Sequence, residues 1–225
     1  MNQRLCSLLL AAACGLATLG SAADPALPLI LNEDFSNGAE RWEPSDPKAW
    51  KVGADAEGNK FFSQHAKSNF NPPYRSPFNI ALLKDVLVGD FVLEARCRST
   101  IKEYDHRDMC LVFGYQDPAH FNYVHFGKKA DDHANQIFIV NSAPRVKISS
   151  KTTAGTPWTD EWHRVKIVRR VNDGTIAVYF DDMQNPAMTA TDKNFTWGRI
   201  GIGTFDDTGD WDDVKLSGIK VEKPK

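Results

Sequence analysis

Short apolar alternations, each closed by a turn former, recur along nearly the whole chain, while apolar residues at helical spacing are almost absent. A strand buries every second side chain and a helix one stripe every 3.6 residues, so this pattern commits the chain to β-sheet. Strands are expected over 29–34, 50–52, 60–63, 79–83, 90–99, 109–116, 122–127, 136–140, 145–148, 163–170, 175–180, 199–204 and 211–221. Asn37-Gly38, Asn71-Pro72-Pro73, Asp117-Pro118 and Asn172-Asp173-Gly174 fall between them. The last separates VKIVRRV from TIAVYF, a hairpin signal. No internal repeat, low-complexity tract or interdomain linker interrupts the series. Many short strands with almost no helix bury their apolar faces by packing two antiparallel sheets against each other.

The N-terminus reads differently. Arg4 gives a positive start, residues 8–19 an apolar run and Ser21-Ala22-Ala23 the small residues a signal peptidase requires, so residues 1–23 are expected to be a signal peptide and 24–225 one β domain. The run is short for a bilayer span and no later stretch is longer, so the reading is an exported periplasmic or extracellular protein without a transmembrane segment. Lipidation at Cys14, after Ala11-Ala12-Ala13, is the less favoured route because the apolar run continues past the cysteine. Of 27 basic residues only Arg4 precedes the cut, and no acid does, leaving a net charge of −3. Nucleic acid is therefore not an expected partner, since phosphate binding needs a basic excess. Cys97 and Cys110 flank a polar loop around Glu103 and Tyr104. A disulfide across a hairpin and two small buried thiols in neighbouring strands both fit that spacing.

The segment Phe121 to Arg145 concentrates chemistry: FNYVHFGKKADDHANQIFIVNSAPR carries phenol, imidazole, amide and guanidinium groups inside strand-like sequence. If Val124 and Phe126 face a core, Tyr123 and His125 face away from it; likewise Gln136 opposes Ile137, and Arg145 and Lys147 oppose Val146 and Ile148. With Leu93, Ala95 and Cys97 inward, Glu94, Arg96 and Arg98 are expected on the same outer side. Such a polar, partly aromatic face suits a sugar, with His133 and Asn135 at its rim. A solvated face of an antiparallel sheet shows the same alternation.

The order NEDFSNG, then WHRVKIVRRVNDGTIAVYFDD, then GRIGIGTFDDTGDWDDVKLSG resembles exported bacterial proteins of the concanavalin A-like lectin/glucanase superfamily. Within it the likeness is closest to laminin-G-like domains and to the DUF1080 (3-keto-disaccharide hydrolase, family 16-like) group. The resemblance implies a two-sheet antiparallel jelly-roll sandwich whose concave sheet takes an oligo- or polysaccharide. The expected binding residues are then Glu94, Arg96, Tyr123, His125, His133, Asn135, Gln136 and Arg145. The superfamily includes lectins, hydrolases, lyases and adhesion modules, so fold does not settle reaction.

Were the protein a lyase, Tyr123 or His125 would move the proton, with Arg145 and Gln136 neutralising a uronate carboxylate. Phe138 stands where the alginate-lyase motif has histidine. A hydrolase needs two acids; Glu103-Tyr104-Asp105-His106-Arg107-Asp108 approaches the family 16 spacing, with a shorter third acid and polar residues between. An adhesion or scaffold module without a small ligand is the third class. His106, Asp108, His120, His125, Asp131, Asp132 and His133 show no compact ligand spacing, and loop solvation is the preferred reading. The acidic loop holding Asp207 and Asp210, with Asp213 just after, suggests structural calcium. The resemblance adds Glu33 to that set, from the junction of first and last strands. Trp42, Trp50, Trp158, Trp162 and Trp197 are read as packing.

Overall fold

A computed structural model describes residues 26–224; the expected signal peptide and Cys14 lie outside the described residues. The strands run β1 (Leu29–Glu33), β2 (Trp42–Pro44), β3 (Trp50–Ala54), β4 (Lys60–Gln64), β5 (Asn79–Leu83), β6 (Val88–Ser99), β7 (Cys110–Asp117), β8 (His120–His125), β9 (Gln136–Asn141), β10 (Val146–Lys147), β11 (Ser149–Thr152), β12 (His163–Arg169), β13 (Thr175–Phe180), β14 (Met188–Thr191), β15 (Arg199–Thr204) and β16 (Gly209–Lys220). One sheet has the order β11-β14-β13-β12-β6-β16-β4-β3 with β1 also paired to β16; the other runs β10-β9-β8-β7-β15-β5-β2. The strand pairs are antiparallel throughout, and the two sheets form the expected jelly-roll sandwich. No helix among the described residues is long and apolar enough to cross a membrane.

Alternation builds the nine-stranded sheet as read. Leu93, Ala95 and Cys97 of β6, Val165 and Ile167 of β12, and Trp211, Val214 and Leu216 of β16 point between the sheets. Leu111 and Phe113, Val124 and Phe126, Ile137, Ile200 and Ile202 meet them from the seven-stranded sheet. The hairpin at Asn172-Asp173-Gly174 closes β12 on β13 with Val165 opposite Phe180. Gly174 takes φ +84, and a Cβ there would come within 2.7 Å of the Asp192 carbonyl oxygen, so the turn requires glycine.

The central strands of the seven-stranded sheet are buried on both faces. A second cluster, Ile80, Leu82, Cys110, Val112, Phe121, Tyr123, Phe138, Val140 and Phe205, covers its outward side, with Tyr74, Phe78 and Tyr115 packed on it. The stretch before β5 and the turn after β15 lie over this face: the Phe78 amide donates to the Phe205 carbonyl, and the Arg145 amide to the Arg75 carbonyl. Cys97 and Cys110 are both free and buried, the first in the inter-sheet core and the second in the outer one. Their strands belong to different sheets, so 100–109 is a crossing between layers and not the hairpin that would pair them.

Candidate functional site

Parity on β8 and β9 is as expected: Tyr123 stands opposite Phe138 and His125 opposite Gln136, all turned from Val124 and Ile137. Exposure is not. Tyr123 is 0% exposed, His125 3%, Gln136 7% and Asn135 0%, because the outward face is a second core. The Tyr123 ring stacks on Phe138 at 5.1 Å, and its hydroxyl accepts a 2.8 Å hydrogen bond from Arg145 Nη1. The Arg145 guanidinium lies between Phe138, 4.8 Å away, and Phe205, 4.2 Å away. Burial pushes the Tyr123 phenol well above its usual range, a state that opposes the proton-abstracting role.

His125 Nδ1 accepts the Asn135 amide at 3.3 Å, so the neutral ring carries its proton on Nε2, which faces Asp108 Oδ2 at 3.4 Å. Gln136 donates to the Asp131 carbonyl, and the Asn135 amide group is committed to Thr152, Thr153 and Thr156. Asn135 adopts φ 53, and its side-chain bonds hold that left-handed turn. His133 is exposed beside it, in the turn its amide makes to Asp131.

Glu94 and Arg96 do not join this group. They stand on β6, in the other sheet, where Arg96 pairs with Asp213 at 3.1 Å and lies 5.0 Å from the Trp162 ring. Arg98, beside them, binds Asp210 at 2.7 Å. Alternation assigned these side chains to an outward side; it did not say of which sheet. Nor do the expected calcium ligands converge. Asp210 and Asp213 are engaged by Arg98 and Arg96, Glu33 accepts the Phe35 amide, and Asp207 sits elsewhere, accepting the Tyr104 hydroxyl at 2.7 Å and the Asp108 amide at 2.9 Å. The family 16-like acids do not share a face: Glu103 pairs with Arg107 and Asp105 with Lys129 at the surface, whereas Asp108 is buried. His106 and His120 are held by Asp131 and Asp117 in separate pairs.

Two features went unread in the sequence. The first is a knot of carboxylates, Asp108, Asp206 and Asp207, whose oxygens lie within 4.8 Å of one another. Burial and the Asp108 charge lift the Asp207 carboxyl to about 6, and burial followed by Asp108 also raises Asp206. Asp207 and Asp206 were visible as an acidic loop, but Asp108 arrives from 99 residues before Asp207, in a different connection. The second is a groove of ≈240 Å³ on the outward face, lined by Glu43, Ser45, Phe70, Ile80, Leu82, Tyr115 and Arg199. The Arg199 guanidinium pairs with Glu43 at 2.7 Å across its rim, and the half-buried rings of Phe70 and Tyr115 flank it. Tyr115 packs on Phe121, which packs on Tyr123, so the groove is the open end of the same aromatic row. A larger depression of ≈690 Å³ lies at the crossing between the sheets, where Arg107 is saturated by Ser99, Glu103, Thr159 and Asp160.

No protein-family model and no curated protein matches the chain. Solved structures match in fold. The carbohydrate-binding module CBM66 from Bacillus subtilis gives a TM-score of 0.56 at 14% identity, covering 79% of this chain and 96% of its own. Domain 4 of AbnA, an extracellular arabinanase from Geobacillus stearothermophilus in complex with arabinotriose, gives 0.53 at 11%, over 88% and 95%. The winged bean acidic lectin complexed with methyl-α-D-galactose gives 0.51 at 11%, over 85% and 98%. The chain therefore has a lectin-like antiparallel sandwich fold.

Proposed function

We propose that this protein is an exported carbohydrate-binding domain that holds a saccharide in the Phe70–Tyr115 groove. The observation that carries the reading is the combination of two half-buried aromatic rings with an ion pair at the rim of one outward-facing groove. The apolar face of a sugar ring packs on aromatic carbon while its hydroxyls pair with charged planar groups, the mix of apolar wall and few polar groups that small-ligand sites use. Saccharide complexes of the lectin-like domains above support the ligand class.

Arg199 is already paired with Glu43, so the groove has no spare cation among its lining residues and favours neutral sugars over uronates. The buried Tyr123, His125 and Gln136 and the half-buried Arg145 then serve as the foundation beneath the face. Purified mature protein screened against arabinans, galactans, glucans and uronates is expected to retain a neutral glycan. Tyr115→Ala and Glu43→Gln are each expected to weaken that binding roughly tenfold or more while the protein stays folded. Failure to retain any glycan, or retention insensitive to both substitutions, overturns the reading. Release of reducing ends in the same screen favours the hydrolase reading that the motif likeness to the 3-keto-disaccharide hydrolase group raises.

A further inference from the structure

We propose that Asp108, Asp206 and Asp207 form a binding site for a hard divalent cation, calcium above all, which ties the crossing between the sheets to the turn after β15. The site is separate from the sugar groove, and it differs from the set Asp207, Asp210, Asp213 and Glu33, whose last three members are occupied elsewhere.

Three observations carry it. Calcium takes oxygen ligands at about 2.3–2.6 Å, so oxygens sharing one ion stand at most about 5 Å apart; the carboxylates of this trio come within 4.8 Å of one another. Among the described residues, neither Asp206 nor Asp207 makes an ion pair with a cation, and Asp108 faces only a histidine. Arg145, which bears on Asp206 at longer range, makes no ion pair with the trio: it donates from Nη1 to Tyr123 and lies against the Phe138 and Phe205 rings, with Nε buried and unpaired, and Lys67 is exposed.

The decisive observation is the Asp108 side chain, which is 1% exposed. Its Oδ1 accepts the Phe205 amide at 2.8 Å, while Oδ2 is buried with no hydrogen bond. His125 Nε2, at 3.4 Å, is beyond the range of a strong N–H···O bond. A buried carboxylate oxygen whose nearest donor, the His125 Nε2–H, stands at 3.4 Å is under-satisfied, and a bound cation satisfies it. Asp206, exposed at the mouth, provides the entry.

The donor set also selects the ion. Asp108 has softer neighbours in Cys110 and His125. However, the ring nitrogen that faces Asp108 carries the proton, because Nδ1 is taken by the Asn135 amide. The buried Cys110 thiol points its S–H at Asp108 Oδ1, 3.7 Å away. Zinc would require both protons to leave, whereas the oxygen trio is ready for a hard ion.

The test is calcium titration of chelator-treated full-length mature protein by calorimetry, beside magnesium, with Asp206→Asn and Asp213→Asn variants. Asp206 is exposed, so its amide variant is expected to fold. Wild type is expected to bind one calcium with a dissociation constant on the order of 10⁻⁴ M and magnesium more weakly. Asp206→Asn is expected to weaken calcium roughly tenfold or more, and Asp213→Asn to leave it unchanged. The Tyr104 hydroxyl, 2.7 Å from Asp207, supplies a second readout: terbium bound to the trio should emit on tyrosine excitation, and Tyr104→Phe should lose that emission. Absence of saturable calcium binding up to about 10 mM, binding indifferent to Asp206→Asn, or binding lost in Asp213→Asn instead, each overturns the proposal.

Discussion

The Arg145 guanidinium lies 4.2 Å from the centre of the Phe205 ring, and this stacked pair closes the outer core over Tyr123. The contact is desolvated on one side, where cation–π attraction is strongest, and a lysine keeps the charge but loses the planar fork. Arg145→Lys is therefore expected to destabilise the fold by about 1–2 kcal/mol. A denaturant midpoint equal to that of wild type would show the stack to be idle.

Tyr123 and Tyr115 belong to one aromatic row yet should answer mutation differently. Tyr123→Ala removes a fully buried ring and is expected to cost about 3–5 kcal/mol. Tyr115→Ala, at the open groove, should cost less stability and lose glycan. Equal unfolding midpoints for the two variants would contradict the burial of Tyr123.

Trp211 is 0% exposed at the start of the long closing strand, packed in the inter-sheet core. Its replacement by alanine is expected to cost about 3–5 kcal/mol. Calorimetric melting checks this, and a transition like that of wild type would place the ring outside the core.

Asp207 reverses the usual acid behaviour. Burial and Asp108 raise its carboxyl to about 6 from 3.8, so the folded protein takes up a proton more readily than the unfolded chain. Stability is then gained as pH falls through about 6 and is fully present below the unfolded value near 3.8. Asp206 and Asp212, also raised by burial, act in the same direction. Asp117 and Asp131, held low by their hydrogen bonds, act only at lower pH. The groups facing Asp207 are Asp108, Asp206 and Tyr104, with His125 behind Asp108. In chelator the melting temperature is expected to rise between about pH 7.5 and about pH 5, and Asp207→Asn to flatten the rise. A fall over that window in the wild type would refute the assignment.

Strands were legible where one face alone is buried. VLEARCRS alternates cleanly, and β6 buries Leu93, Ala95 and Cys97 while leaving Glu94, Arg96 and Arg98 half-exposed. The short strands β2, β11 and β14 carry little apolar signal and gain order from their neighbours. The outer core left a trace that parity alone ignored: IALL, CLVF and IFIV are continuous apolar runs, the mark of strands covered on both sides. Tyr123 and His125 sit within that doubly covered sheet, so a polar atom on each was no sign of solvent. Sheet membership is harder still. Periodicity tells up from down along a strand, and only the crossing at 100–109 decides that β6 and β7 part company. The same long-range assembly brings Asp108 to Asp207, a meeting for which no local spacing exists.

The two thiols turn the layered burial into a clock. Cys97 is sealed in the core between the sheets and Cys110 in the core outside one of them, both at 0% exposure. Burial raises both thiol pKa values well above the ordinary range, so neither is a nucleophile while its own layer stays shut. Each sulfur thus reports the opening of one layer. Their relative labelling rates say whether the sandwich loosens as a single cooperative unit or sheds its outer cover first.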